Sequence, residues 1–82
     1  MKQYLIRTYD TYFNDVRSDY VGEYVDDETA INAAKSMLHI LIHPADTYEL
    51  QVCHKGMGMG DWCMFAAVYY CDGDIVVDEI YC

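Results

Sequence analysis

Histidine and cysteine side chains in the middle of the chain have types and spacings that could bind a metal ion. His39 and His43 lie four residues apart, which places two imidazoles on one face of a helix, and Cys53 and His54 follow in the next segment. Together they could supply a mixed zinc site. Because adjacent strand residues point to opposite sides of a sheet, only one of Cys53 and His54 could join. The chain has no C-x-x-C pair. We therefore expect structural histidines, no metal and no cofactor.

Nucleophilic catalysis needs a cysteine or serine beside a base and an orienting group. Cys53 neighbours His54 in sequence, but strand geometry separates their side chains, and neither Ser18 nor Ser36 has an evident base beside it. Consecutive acids occur without catalysis on solvated surfaces and at helix starts. A chain of 82 residues also has little volume for a closed pocket. The sequence predicts no catalytic residues and a protein that is not an enzyme.

The glycine-rich segment Gly56–Gly60 invites comparison with loops that bind phosphate. Such loops precede a helix and usually a lysine, whereas a strand and Asp61 follow here. We expect a connection between strands, in which Met57 and Met59 could offer adaptable apolar contacts to a partner.

Hydrophobic periodicity predicts the elements of the first half of the chain. Lys2–Tyr9 alternates as a strand, Asp10–Ser18 has the character of a loop, and Tyr20–Val25 is typical of a second strand hairpinned to the first. A helix then begins after an N-cap at Asp26 or Asp27 and ends before a proline. Its apolar residues recur at helical spacing: Ala30, Ile31, Ala34, Met37, Leu38, Leu41 and Ile42, with Pro44 closing the element.

The second half of the chain predicts three more strands. Thr47–His54 is the first, and Trp62–Cys71 and Asp74–Cys82 form a hairpin through the Asp72-Gly73 turn. A tight turn places Tyr70 opposite Ile75, Val68 opposite Val77, and Cys63 opposite Cys82. Residues 1–82 are thus expected to form a single α+β domain. Its antiparallel sheet has about five strands in the order β-β-α-β-β-β, with one helix packed on one face.

Both faces of the predicted C-terminal hairpin are apolar, which is unusual for a half-solvated ribbon. A one-residue bulge would change which halves share a face but would leave both faces apolar. One helix covers only one face, so we expect the other to bind a partner through Phe65, Tyr69, Val76 and Ile80. The alternative is that the N-terminal strands fold over this face, or that Asp10–Ser18 does, a segment that contains Tyr12, Phe13 and Val16.

Charge restricts the classes of partner. Fourteen acidic and five basic residues give a net charge of −9, which argues against binding nucleic acid or an anionic membrane and favours a basic protein partner. Half of the acids lie between residues 10 and 28, and six of them are candidate contacts: Asp15, Asp19, Glu23, Asp26, Asp27 and Glu28. Since no signal peptide or membrane span is visible, we expect a cytoplasmic protein with reduced cysteines.

The arrangement of segments resembles that of small anti-CRISPR proteins from phages. Some of these place a short N-terminal hairpin before one helix and then three antiparallel strands. The likeness covers Lys2–Tyr9, Tyr20–Val25, Asp27–Ile42 and Thr47–Cys82, and it carries over no individual residue. Members of that family bind a defence complex directly and block it, some by presenting carboxylates where the nucleic-acid backbone would sit. The resemblance implies an inhibitor acting in the host cytoplasm.

Three functional hypotheses follow from the sequence. The first is a non-enzymatic protein-binding module, an inhibitor that occupies a basic, nucleic-acid-binding surface. The second is a homo-oligomer, such as a symmetric dimer, whose apolar sheet face is self-complementary and whose role is structural or regulatory. The third is a metal- or redox-responsive protein that uses His39, His43 and Cys53.

Overall fold

One antiparallel sheet and one helix make up the part of the chain that the computed structural model describes, residues 1–40, 48–55 and 61–79. The elements are β1 (Lys2–Asp10), β2 (Asp15–Tyr24), α1 (Asp27–Ile40), β3 (Tyr48–Lys55), β4 (Trp62–Cys71) and β5 (Asp74–Glu79). The five strands lie in the order β2-β1-β3-β4-β5, and every neighbouring pair is antiparallel. The predicted α+β class and the predicted order of elements are therefore confirmed.

Strand β2 begins earlier than the sequence predicts. The prediction of a loop through Ser18 is wrong, because the chain turns within residues 11–14 and pairs again from Asp15. Asn14 has a φ of 54°, a left-handed conformation that asparagine tolerates well and that suits a tight turn. The charged residues in this stretch suggested a loop, but an edge strand accommodates charges because one edge and much of its surface stay in water.

Helix α1 begins at a side-chain cap. Asp26 Oδ1 accepts hydrogen bonds from the backbone N–H of Thr29 at 2.8 Å and from Thr29 Oγ1 at 2.6 Å. The backbone N–H of Ala30 donates to the carbonyl oxygen of Asp26 at 3.2 Å. Of the two predicted caps, Asp26 is therefore the one observed. The predicted helix end at Pro44 lies outside the described residues.

The core joins one stripe of α1 to alternate residues of three strands. It comprises Ala30, Ile31, Ala34 and Leu38 of the helix with Tyr4, Ile6, Leu50, Val52, Ala66 and Val68 of β1, β3 and β4. We call the sheet side that bears these strand residues the core face, and the other side the opposite face. Side chains alternate along a strand, so Leu5, Arg7, Gln51, Cys53, Ala67 and Tyr69 belong to the opposite face.

The turn between β4 and β5 has the predicted conformation. Asp72 and Gly73 both adopt positive φ, 53° and 85°, as a two-residue hairpin turn requires. Tyr70 pairs with Ile75 and Val68 with Val77, so these two predicted pairings are confirmed. The predicted pairing of Cys63 with Cys82 lies outside the described residues.

A bulge in β4 changes the direction of one predicted contact residue. Val52 lies opposite Ala66 whereas Cys53 lies opposite Met64, so Phe65 is the extra residue of the bulged strand. Phe65 packs against the core, with its ring 5.9 Å from that of Tyr4. The expectation that Phe65 shares a face with Tyr69 and Val76 is therefore wrong.

The contribution of the core to stability can be tested at Leu50, which is completely buried. We expect Leu50→Ala to reduce the free energy of unfolding by about 2–5 kcal/mol, because it removes buried methyl groups and leaves a cavity. Ile40→Ala is the matched control, since Ile40 is 80% exposed and its truncation should change the free energy by less than about 0.5 kcal/mol. Urea denaturation measures both. Equal losses in the two variants would contradict the assignment of the core.

Candidate functional site

Exposed apolar side chains are concentrated on the hairpin of β1 and β2. Among the described residues nine large apolar side chains are exposed, and six of them lie between residues 12 and 25. We call these six the hairpin surface: Tyr12, Phe13, Val16, Tyr20, Val21 and Val25. Aromatic and aliphatic side chains gathered in this way are typical of a protein-binding site, because each loses unfavourable contact with water when a partner covers it.

A buried carboxylate organises the turn that carries the two aromatic residues of this surface. Asp10 is only 3% exposed. Its Oδ1 accepts hydrogen bonds from the backbone N–H groups of Tyr12 at 3.0 Å and Phe13 at 3.2 Å, and its Oδ2 accepts one from Arg17 Nη2 at 3.2 Å. Burial disfavours the ionised form, but these hydrogen bonds and the guanidinium charge outweigh it and lower the pKa of Asp10. The turn is therefore built around a negative charge.

The aromatic side chains of the turn are held by contacts with one another and with Arg17. Tyr12 and Phe13 are 76% and 65% exposed, and their rings meet edge to face with centroids 4.9 Å apart. The guanidinium carbon of Arg17 lies 5.3 Å from the centroid of the Phe13 ring, within cation–π range. The Tyr9 hydroxyl also donates to the side-chain oxygen of Asn14. Two exposed rings fixed in this way lose little conformational entropy when a partner binds them.

Strand β2 is an edge strand whose two faces differ in chemistry. Its pairing with β1 places Asp19, Val21 and Glu23 on the opposite face, and Tyr20 on the core face. Arg7 of β1 donates from Nε to Asp19 Oδ1 at 3.2 Å, and the Asp19 side chain keeps half of its exposure. One side of the strand is therefore acidic around Val21, and the other presents an aromatic ring.

The six acidic residues predicted as contacts are all exposed: Asp15, Asp19 and Glu23 on β2, and Asp26, Asp27 and Glu28 at the start of α1. Two of those at the helix start also have structural roles. Asp26 caps the helix, and the hydrogen bonds from Thr29 lower the pKa of its carboxyl. Asp27 Oδ1 accepts the hydroxyl of buried Tyr4 at 2.6 Å; burial and this bond raise the pKa of Tyr4 to about 12. Three of the six acids therefore lie on the same hairpin as the exposed apolar residues, and the other three follow it at the helix start.

The predicted contact residues of the C-terminal ribbon are less accessible. Tyr69 and Val76 pair on the opposite face and are half-buried, Phe65 belongs to the margin of the core, and Ile80 lies outside the described residues. The Tyr69 hydroxyl donates to Asp78 Oδ2 at 2.7 Å, and this bond raises the pKa of Tyr69. The alternative in which residues 10–18 cover this face is wrong, because the aromatic side chains of that segment are exposed.

Of the residues considered for metal binding, three lie on different parts of the described structure, and His43 lies outside the described residues. His39 is exposed on α1, Cys53 is buried, and the imidazole of His54 stacks on Phe65 with centroids 4.8 Å apart. Burial raises the pKa of the Cys53 thiol. Three or more histidine, cysteine or carboxylate groups in a metal-binding arrangement do not occur within the described residues.

Cysteine chemistry differs from the prediction at one position. Cys63 is in a disulfide, whereas Cys53 and Cys71 are free thiols. The expectation that all the cysteines are reduced is therefore wrong for Cys63.

No helix in the described ranges is long and apolar enough to cross a membrane.

Comparison of the chain with family models, with curated proteins and with solved structures gave no match. The chemistry of the hairpin surface is therefore the basis for a functional proposal. Sequence reasoning identified the acids of this hairpin but missed its aromatic residues as a binding site. The available signal was Asp10 followed by two aromatic residues and Asn14, a pattern typical of a turn held by an aspartate side chain.

The role of the buried carboxylate gives a pH-dependent prediction. We expect Asp10→Asn to lower the urea midpoint at neutral pH. The carboxylate charge pairs with Arg17 and strengthens the hydrogen bonds from the two backbone N–H groups, and the neutral amide lacks this charge. Since folding lowers the pKa of Asp10, this stabilisation is present above the unfolded pKa and disappears as the pH falls below about 4. The midpoints of the two proteins should therefore converge in acid.

Glu23→Gln is the matched control, since Glu23 is an exposed acid of the same hairpin and pairs with the uncharged Gln3. It should leave the urea midpoint almost unchanged at both pH values. A midpoint difference for Asp10→Asn that persists undiminished at low pH would contradict the proposed role of the ionised carboxylate.

Proposed function

We propose that this protein is a non-enzymatic binding module, an inhibitor that occupies a basic, nucleic-acid-binding surface of a target protein. One observation carries the proposal: the exposed aromatic and aliphatic residues share the β1–β2 hairpin with three exposed acids, Asp15, Asp19 and Glu23. In this proposal α1 covers the core face of the sheet, and the hairpin of β1 and β2 makes the contact with the target. The setting is the cytoplasm, that of the host if the gene belongs to a phage.

Charge supports this choice of target. A chain with a net charge of −9 is repelled by nucleic acid and attracted to the surfaces that bind nucleic acid. Asp19 and Glu23 point to the same side of β2 about 13 Å apart, given the rise of roughly 3.3 Å per strand residue, so they can meet two separate cations. Such charges chiefly accelerate encounter and select the partner.

The aromatic pair supports a stable complex rather than a transient one. Charge pairs at an exposed surface contribute little affinity, whereas buried aromatic side chains often dominate an interface. Tyr12 and Phe13 are exposed in the free protein and positioned by Asp10. In the proposal they are the residues whose burial slows dissociation.

Homo-oligomerisation is a second candidate, and the free edge of β2 is the observation that favours it. Two copies could pair along this edge and bury Val16, Tyr20 and Val21 against each other. Sedimentation velocity at high protein concentration distinguishes the two candidates, because the inhibitor is expected to stay monomeric without its target.

The proposal can be tested by capture of the target on immobilised protein from a nuclease-treated extract of its native cell. We expect a nucleic-acid-binding protein to be retained, to elute as salt is raised, and to be displaced by added nucleic acid. The double variant Tyr12→Ser and Phe13→Ser should retain at least about tenfold less of it, since truncation of central aromatic residues often costs 2 kcal/mol or more.

Ile75→Ser is the control for this experiment, because Ile75 is an exposed apolar residue on the far edge strand β5. It should retain as much target as the unmodified protein. Retention that is indifferent to salt and to nucleic acid would remove the nucleic-acid-binding surface from the proposal. Equal retention by the aromatic double variant would place the contact elsewhere.

A further inference from the structure

We infer that β2 binds an extended basic segment of the target as an additional antiparallel or parallel edge strand. This inference deepens the proposed function and rests on it. The segment would extend the five-stranded sheet to six strands, with its backbone paired to the outer edge of β2 and its side chains alternating between lysine or arginine and apolar residues.

The backbone of β2 provides the template. The strand is ten residues long, stands at the end of the strand order and pairs with β1 along one edge. Within the described residues nothing pairs with its other edge, where alternate N–H and C=O groups face outward. Addition of a strand to such an edge is a general mode of peptide recognition, in which main-chain hydrogen bonds give affinity and side chains give specificity.

The side chains of β2 determine which segment fits. Partners directly opposite in a sheet lie on the same face, so the residues facing Asp19, Val21 and Glu23 share the opposite face with two carboxylates. The residues between them share the core face with Tyr20, which is 48% exposed. Basic side chains therefore suit the first set of positions and apolar side chains the second.

Charge favours a foreign strand over a second copy of β2. The strand carries three acids, Asp15, Asp19 and Glu23, and one base, Arg17, whose guanidinium is bound to Asp10. Two copies paired antiparallel about Val21 would place Asp19 of each copy opposite Glu23 of the other. Like charges directly opposed in a sheet are destabilising, and each chain has a net charge of −9. A basic strand reverses the sign of every such contact.

The test uses a capped ten-residue peptide of alternating lysine and valine, with amide hydrogen exchange measured by NMR. We expect the peptide to slow exchange at alternate residues of β2, those whose N–H groups face outward, and to leave β5 unchanged. Two further peptides carry N-methyl groups on all lysine amides or on all valine amides. One of them should bind at least about tenfold more weakly than the unmethylated peptide. The other should keep the affinity of the unmethylated peptide, since only one set of amides pairs with β2.

A matched pair of variants locates the charges. Asp19→Asn with Glu23→Gln should weaken peptide binding and reduce its dependence on salt, because two carboxylates beside the added strand are lost. Asp74→Asn with Glu79→Gln removes two acids from β5, the other edge of the sheet, and should leave peptide binding nearly unchanged.

Each contrary outcome has a separate meaning. Peptide binding without alternate protection in β2, or with equal affinity for both methylated peptides, would overturn strand addition and leave the proposed function standing. Absence of binding by any of the peptides would overturn strand addition, and failure of the capture experiment as well would overturn the proposed function. Protection of β2 that rises with protein concentration in the absence of peptide would assign the edge to a second copy and overturn the inference.

Discussion

The size of α1, the one helix among the described residues, constrains the rest of this structure. α1 has 14 residues, and its four buried side chains form the core with residues of β1, β3 and β4. Of the two edge strands, β2 contributes Tyr24 and β5 contributes Val77, both only partly buried, at the margin of that core. Most side chains of β2 remain in water: Tyr20 lies on the core face beside the core margin, whereas Val16 and Val21 lie on the opposite face.

A charge buried under the hairpin turn complements that constraint. Exposed aromatic residues on a mobile loop would collapse onto the protein or onto one another without a defined shape. Here Asp10 fixes the backbone of Tyr12 and Phe13, and Arg17 joins the carboxylate to the Phe13 ring. The same arrangement makes the shape of the turn depend on ionisation of one buried group, so the proposed binding geometry and the local stability share a single cause.

Features of the fold that depend on neighbouring residues could be predicted from the sequence, whereas features that depend on the whole topology could not. The Asp72-Gly73 turn, the Asp26 cap and the alternation of β1 each depend on neighbouring residues, and each is observed. The start of β2 was missed because its charges are tolerated only at a sheet edge, and edge position is a property of the whole topology. The direction of Phe65 was missed because a bulge depends on the register between β3 and β4. The candidate site followed the same division: the acids were recognised by composition, whereas exposure of the aromatic pair depends on the place of the β1–β2 turn at the edge of the sheet, which is a property of the whole topology.

The most direct measurement of the central claim is hydroxyl-radical footprinting of the free protein, read residue by residue at low concentration. If the open surface is the hairpin surface, Tyr12 and Phe13 should be oxidised fastest among the aromatic residues that the structure describes, Tyr69 more slowly, and fully buried Tyr4 slowest of all. Rapid oxidation of Tyr69 with protection of Tyr12 and Phe13 would contradict the account and return the binding surface to the C-terminal ribbon.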